Sequence, residues 1–317
     1  MKNKIKILHH NASRLPSPIG GLALAIASLG WAWDNILPQY NGLGQTTGTL
    51  IASALLSALL GKFLLHPKVL KEELTHPVVG SVIPTFAMAL MVVSNTLWHH
   101  NPFAGKYLWL IAIGIHLIFL GMFVYYRALD FKLEQMVPSW FVPPIGIIVA
   151  AVSFPSDGYH WLATATLMFG MGCYLIMLPL MLYRLIFCPQ IPDAAKPTIA
   201  ILAAPASLSL AGYLTIIEHP SETVVTLLLT IAVLMTSIIY LAFFHLLKLP
   251  FSPGYAAFTF PMVIGATALL KTYQWMLTRY GMSNIAMGVE IIAITELIIA
   301  SVIVAYVSYK YIDHYRY

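Results

Sequence analysis

Apolar runs of about 20 residues alternate with short polar breaks along the whole 317-residue chain. A helix crosses a bilayer core about 30 Å thick in runs of that length. The pattern predicts ten helical spans, approximately 17–36, 45–65, 78–98, 105–126, 139–155, 159–183, 197–217, 223–247, 254–276 and 285–308. The fifth is short because Pro155 ends it. The breaks alternate as well. Stretches 66–77, 127–138 and 184–196 read as longer polar loops, while 99–104, 155–158 and 218–222 read as tight turns. This alternation predicts five helical hairpins in one transmembrane domain, 1–317, with a short N-terminal segment 1–15 and a tail 309–317.

A second pattern separates odd segments from even ones. The odd segments open on proline: Pro16 and Pro18, then Pro77, Pro138, Pro197 and Pro253. A deeper proline follows six to eight residues later at Pro84, Pro144, Pro205 and Pro261, and the first segment carries Gly20 and Gly21 instead. An interior proline removes a backbone hydrogen bond and kinks a helix, at roughly 3 kcal/mol. Its recurrence predicts five bent inner helices arranged around a pore. The even segments, such as LIASALLSALLGKFLL, are rich in Leu and Ile, and only the sixth holds a proline, Pro179 near its end. Lipid tails suit the even pattern, whereas close packing or a lined cavity suits the odd one. A unit recurring every few tens of residues marks an architecture of repeats.

Composition agrees with a membrane-embedded, all-α protein. Hydrophobic residues make up 59% of the chain and charged ones 9%, against about 25% charge in soluble domains; mean hydropathy is +0.81. Fourteen basic residues fall at the N-terminus, the even loops and the C-terminus, against Lys106, Lys271 and Arg279 on the other side. The positive-inside rule then places both termini in the cytoplasm of a plasma membrane. An odd number of spans would destroy the asymmetry. No apolar stretch directly follows the basic MKNKIKI leader, so no cleavable signal is expected. The net charge of +5 is spread over separate loops, which argues against nucleic acid as a partner. Trp31, Trp33, Trp98, Trp109, Trp161 and Tyr107 read as belt residues at the membrane boundaries.

Enzyme and cofactor chemistry lack their ligands in this sequence. Of 11 histidines only His116 lies well inside a span, and no HExxH or Walker-type motif occurs. Cys173 and Cys188 stand about 22 Å apart along one helix, beyond disulfide reach. No metal, cofactor or catalytic residue is expected.

The stretches PSPIGG…WAW, HPVVGSVIP, WFVPP, LAAPASLSLAGYL and YAAFTFPM occur in order over essentially the whole chain. In these the chain resembles the tellurite-resistance/dicarboxylate transporter family, which includes bacterial TehA proteins and plant guard-cell slow anion channels. The resemblance implies ten transmembrane helices as five inverted-V hairpins around a central pore with quasi-fivefold symmetry, assembled as a homotrimer. It also implies that Phe260, the aromatic residue before Pro261 in the ninth helix, closes the pore. Phe258 lies two residues earlier, and read without the resemblance Phe260 is equally an ordinary packing residue.

The lining expected from the odd helices is Gly20, Gly21, Ser81, Pro84, Pro144, Pro205, Thr259 and Pro261, with further hydroxyls at Ser28, Thr85, Ser94, Ser153, Ser207, Ser209 and Thr267. Hydroxyls bind small anions weakly enough for conduction. No acidic residue is expected in the inner helices. Glu290 and Glu296 instead lie in the tenth span, where a charge is costly. Either could couple a proton or hold a neighbouring helix, and Lys271 is the expected partner of Glu290. Two functions stand: a gated anion channel, or a proton-coupled carrier exporting organic acids, tellurite or toxic compounds.

Overall fold

The computed structural model of the protein describes residues 13–155 and 158–316. The expected basic leader, including Lys2, Lys4 and Lys6, lies outside them. The described residues form helices and connecting turns. Eight helical stretches are long and apolar enough to cross a membrane: Leu43–Leu65, Val79–His100, Pro102–Leu129, His160–Phe187, Asp193–Ile216, Glu222–Leu246, Pro253–Tyr280 and Asn284–Tyr315. The expected first and fifth spans, 17–36 and 139–155, are helical over Ile19–Ile36 and Pro138–Val152 but fall outside that set.

Burial sorts these stretches as the sequence pattern did. In Val79–His100, Asp193–Ile216 and Pro253–Tyr280, 78–83% of the apolar window is buried; in the other five it is 28–39%. The α-helices are α1 Ile19–Ile36, α2 Leu43–Leu65, α3 Pro67–Thr75, α4 Val79–Val82, α5 Thr85–His100 and α6 Pro102–Leu129. They continue with α7 Val142–Ile145, α8 Val149–Val152, α9 His160–Phe187, α10 Ala204–Ile216, α11 Glu222–Leu246, α12 Thr259–Tyr280 and α13 Asn284–Tyr315. Sequence neighbours α1 and α2, α5 and α6, α10 and α11, and α12 and α13 pack together, while α9 packs on α7 and α8. The buried members also pack on one another in a closed circuit: α1 on α5, α5 on α8, α8 on α10, α10 on α12, and α12 on α1.

The prolines act differently from the expected kinks. Three inner segments lead with 3₁₀ helix, at Pro138–Phe141, Asp193–Ala203 and Pro253–Phe258, and α-helix follows. Pro84 is the cap of α5, Pro205 stands at the start of α10, and Pro261 is the third residue of α12. First-turn N–H groups have no intrahelical acceptor, so a proline there sacrifices little. Pro144 lies inside the four-residue α7. Serine and threonine hydroxyls favour the tighter helix: Ser81, Thr85, Thr198 and Thr259 each donate to the carbonyl three residues back at 2.6–2.7 Å.

The 3₁₀ geometry has a consequence for length. It rises about 2.0 Å per residue against about 1.5 Å in an α-helix. The mixed segment Pro138–Val152 therefore extends about 26 Å, close to a bilayer core despite its few residues. Two loop expectations also change. Stretch 66–77 contains α3, and Trp109 is fully buried, donating from Nε1 to the Ala150 carbonyl at 3.0 Å. Trp109 thus holds α6 against α8, its ring packed inside the protein.

Candidate functional site

A cavity of about 600 Å³ occupies the middle of the inner circuit. Every inner segment contributes to its wall, among others through Gly21, Met88, Ile145, Leu208 and Phe260. Its mouth lies among the leading ends of those segments, at Ser17, His76, Pro192, Ala194 and Ser252, of which His76, Pro192 and Ala194 are exposed. The wall stops at the first turns of α5, α10 and α12. It is overwhelmingly apolar and, among the described residues, includes no Lys or Arg.

The expected lining residues divide. Gly21, Thr85, Pro205, Phe260 and Pro261 line the cavity. Gly20 instead permits close packing of α1 on α5, since a Cβ there would meet Thr85 Oγ1 at 2.9 Å and the Phe86 amide at 3.2 Å. Ser81 is buried beside Ser139, with the hydroxyl oxygens 2.6 Å apart, and Thr259 is buried on its own backbone. Pro84 caps α5 away from the wall, and Pro144 borders an outer groove with Phe123 and Trp140. The deeper hydroxyls are also committed elsewhere. Ser94, Ser153, Ser207 and Thr267 donate to carbonyls of their own helices at 2.6–3.0 Å and lie off the wall.

Phe258 and Phe260 take opposite sides of the 3₁₀-to-α junction. Phe258 is fully buried against the rings of Tyr255 and Phe243, with centroids 4.8 and 5.5 Å away. Phe260 is 8% exposed and that exposure is onto the cavity. Among the described residues it makes no ring contact.

Three basic residues counted as topology signals have a second role. Lys62, Arg127 and Arg184 stand in the last turns of α2, α6 and α9. Each donates to a backbone carbonyl one to four residues before the leading proline of the inner segment that precedes its helix: Lys62 to Leu15, Arg127 to Thr75 and Arg184 to Glu134. The sequence separations are 47, 52 and 50 residues. A cation buried among carbonyls at a helix C-terminus also complements the helix dipole. The available signal was a lone basic residue embedded near the end of an apolar run.

The voltage-dependent anion channel (SLAC1) family profile matches residues 18–312. The chain belongs to this family. It is similar to two uncharacterized transporters of Methanocaldococcus jannaschii. One is 28% identical over 294 residues, covering 84% of this chain and 86% of the relative. The other is 27% identical over 236 residues, covering 66% and 68%. It is also similar to a tellurite resistance protein TehA homolog of Haemophilus influenzae, 26% identical over 290 residues, covering 88% and 85%. The family membership and the apolar helices together make this a multi-pass membrane transport protein.

Within this anion channel family fold, both glutamates of α13 lie off the cavity wall. Glu296 is buried, with Oε2 unbonded and directed at Gly265 of α12, where a Cβ would come within 2.9 Å of it. The nearby Tyr240 hydroxyl is also unbonded, and Thr236 Oγ1 faces the same glycine. Glu290 contacts the Tyr273 hydroxyl. Lys271 does not pair with Glu290; its Nζ lies 5.8 Å from the Trp31 ring centroid. The ring is the nearer partner and offers a cation–π contact.

Among the lining residues that escaped the sequence reading is one acid. Glu73, at the end of α3, reaches the cavity mouth and is the only acid on the wall among the described residues. Its sequence neighbours Lys71 and Glu72 made it look like a solvated loop residue.

Proposed function

We propose that this protein is a gated anion channel of ten membrane crossings, paired as five hairpins around one pore with quasi-fivefold symmetry. The first and fifth crossings are Ile19–Ile36 and Pro138–Val152, which extend about 27 and 26 Å. Phe260 is the occluding residue: an apolar ring in a narrow apolar passage excludes water and so blocks an ion by dewetting. The single observation that carries the reading is the cavity, which reaches the surface at its mouth and ends beside Phe260.

Anion preference follows from the backbone. The leading ends of the inner segments gather at the mouth, and each helix N-terminus carries about half a positive charge. The four ends at Ser17, His76, Pro192 and Ser252 attract an anion, while a wall without Lys or Arg among the described residues gives it no deep trap. Assembly as a homotrimer in a plasma membrane, with both termini cytoplasmic, belongs to the same proposal. A carrier coupled through Glu296 would require that carboxyl on the substrate route, and its position behind α12, off the cavity wall, argues against that role.

The test is reconstitution in planar bilayers. Wild-type protein is expected to pass little current and Phe260→Ala to conduct anions constitutively. Equal currents from two well-folded samples would remove Phe260 as the gate.

A further inference from the structure

The cavity mouth holds an ion pair that the channel reading leaves unused. Lys62 is 1% exposed and its ammonium has three partners: the Leu15 carbonyl at 2.8 Å, Ser17 Oγ at 3.0 Å and Glu73 Oε1 at 2.6 Å. The Ser17 hydroxyl donates to Glu73 Oε2 at 2.6 Å. All three ammonium donors and both carboxylate oxygens are therefore engaged. The pair faces the cavity asymmetrically. The Glu73 side chain is 20% exposed and lines the wall, while Lys62 at 2% stands behind it.

The other two hairpins that end on a buried base lack this acid. Arg127 binds the Thr75 carbonyl and Gln135 Oε1, and Arg184 binds the Glu134 and Pro189 carbonyls. Latching the leading chain thus needs only a base and a carbonyl. Glu73 adds something beyond the latch, and its charge points at the mouth.

We infer that the Glu73–Lys62 pair sets charge selectivity at the mouth, Lys62 acting as a fixed counter-ion that hides the only acid on the cavity wall among the described residues. This inference rests on the channel reading. A bare carboxylate there would oppose the positive helix ends, repel anions and admit cations. A bare lysine would hold an anion too firmly for rapid passage. The locked pair leaves the mouth near neutral, so the field of the helix ends decides. Among the described residues His76 is the other titratable group on the wall; its Nδ1 accepts from the Val78 and Val79 amides at 3.2 Å, which fixes the ring at the start of α4.

Two measurements test this. Reversal potentials in a KCl gradient are read in the Phe260→Ala background. Lys62→Gln, which keeps a donor toward Leu15, is expected to lower the anion-to-cation permeability ratio about fivefold. Glu73→Gln is expected to raise the ratio, and the double variant to return near the parent. The second measurement does not need conduction. Ala194, exposed at the mouth, is replaced by Cys after Cys173→Ser and Cys188→Ser. Anionic and cationic methanethiosulfonate reagents are then compared. Lys62→Gln should slow the anionic reagent relative to the cationic one by about fivefold, and Glu73→Gln should do the reverse.

A silent Phe260→Ala background with the shifted reagent ratio would refute the channel reading and leave the electrostatic role of the pair standing. Unchanged reagent ratios in both single variants, with unaltered gel-filtration profiles, would overturn the inference.

Discussion

The inner segments and the outer helices are built from nearly the same apolar alphabet, yet they solve opposite problems. Three of the inner ones, Val79–His100, Asp193–Ile216 and Pro253–Tyr280, bury 78–83% of their apolar windows, and the inner segments together enclose a cavity. The outer ones bury 28–39%, run as long regular α-helices and present Leu, Ile and Phe outward. Position in the hairpin, and not hydrophobicity, decides what a side chain does. Phe260 and Phe244 make the contrast concrete: one is 8% exposed onto the cavity, the other 76% exposed on the outside of α11.

The largest effect should separate these two phenylalanines. Phe260→Ala is expected to raise conductance at least about tenfold over wild type, as loss of a dewetting barrier of ~1.4 kcal/mol or more would do. Phe244→Ala should leave conductance unchanged in the same bilayers. Equal responses would erase the inner–outer distinction at its most functional point.

The next test blurs the comparison on purpose, because the outer helices also hold the leading chain. Arg184→Met removes charged hydrogen bonds to the Glu134 and Pro189 carbonyls. Stability should fall by about 2–3 kcal/mol, since bonds to charged groups carry about that much. Unfolding in detergent followed by circular dichroism checks it, and no loss would show the latch to be incidental.

Glycines offer a smaller and cleaner contrast. Gly20→Val forces side-chain atoms into Thr85 and the Phe86 amide, and overpacking costs about 1–3 kcal/mol. Gly114→Ala on α6 meets nothing within 4 Å and should stabilise by about 0.5–1 kcal/mol through helix propensity alone. Melting temperatures moving in opposite directions would sharpen the distinction; parallel shifts would break it.

The smallest effect is expected at Glu296, on an outer helix but buried against an inner one. Glu296→Gln preserves shape and a hydrogen-bonding group, so conductance in the Phe260→Ala background should change less than about twofold, with no new pH dependence. Abolished transport would return the carboxyl to the permeation mechanism and favour the carrier.

Much of the fold was legible because a bilayer reads sequence by length and polarity. The odd and even segments differ in Pro, Gly and Leu content strongly enough that PVVGSVIPTFAMALMVV and TVVTLLLTIAVLMTSIIYLAFF declare their environments. The positions of Pro205 and Pro261 on the wall were legible for the same reason. The error concerned mechanism at those positions: proline spacing alone does not distinguish an interior kink from the first turn of a helix that follows 3₁₀ chain. Hydroxyls were misread similarly. Ser94 and Thr267 look available in a polar count, but a helix offers its own carbonyl acceptors one turn back, and both of these hydroxyls take one.

The sequence by itself determined that this is an apolar helical membrane protein with inner and outer segments in alternation, since hydropathy and proline placement are properties of the local chain. Only the tertiary structure decided which residues face the cavity. Gly20 and Gly21, or Phe258 and Phe260, sit one or two positions apart with matching chemistry, and the helix rotation set by packing turns one of each pair toward the cavity. The pairing of Lys62 with Glu73 likewise required the α2–α3 corner to fold back over Ser17, because electrostatic partners are chosen by distance in space and not along the chain.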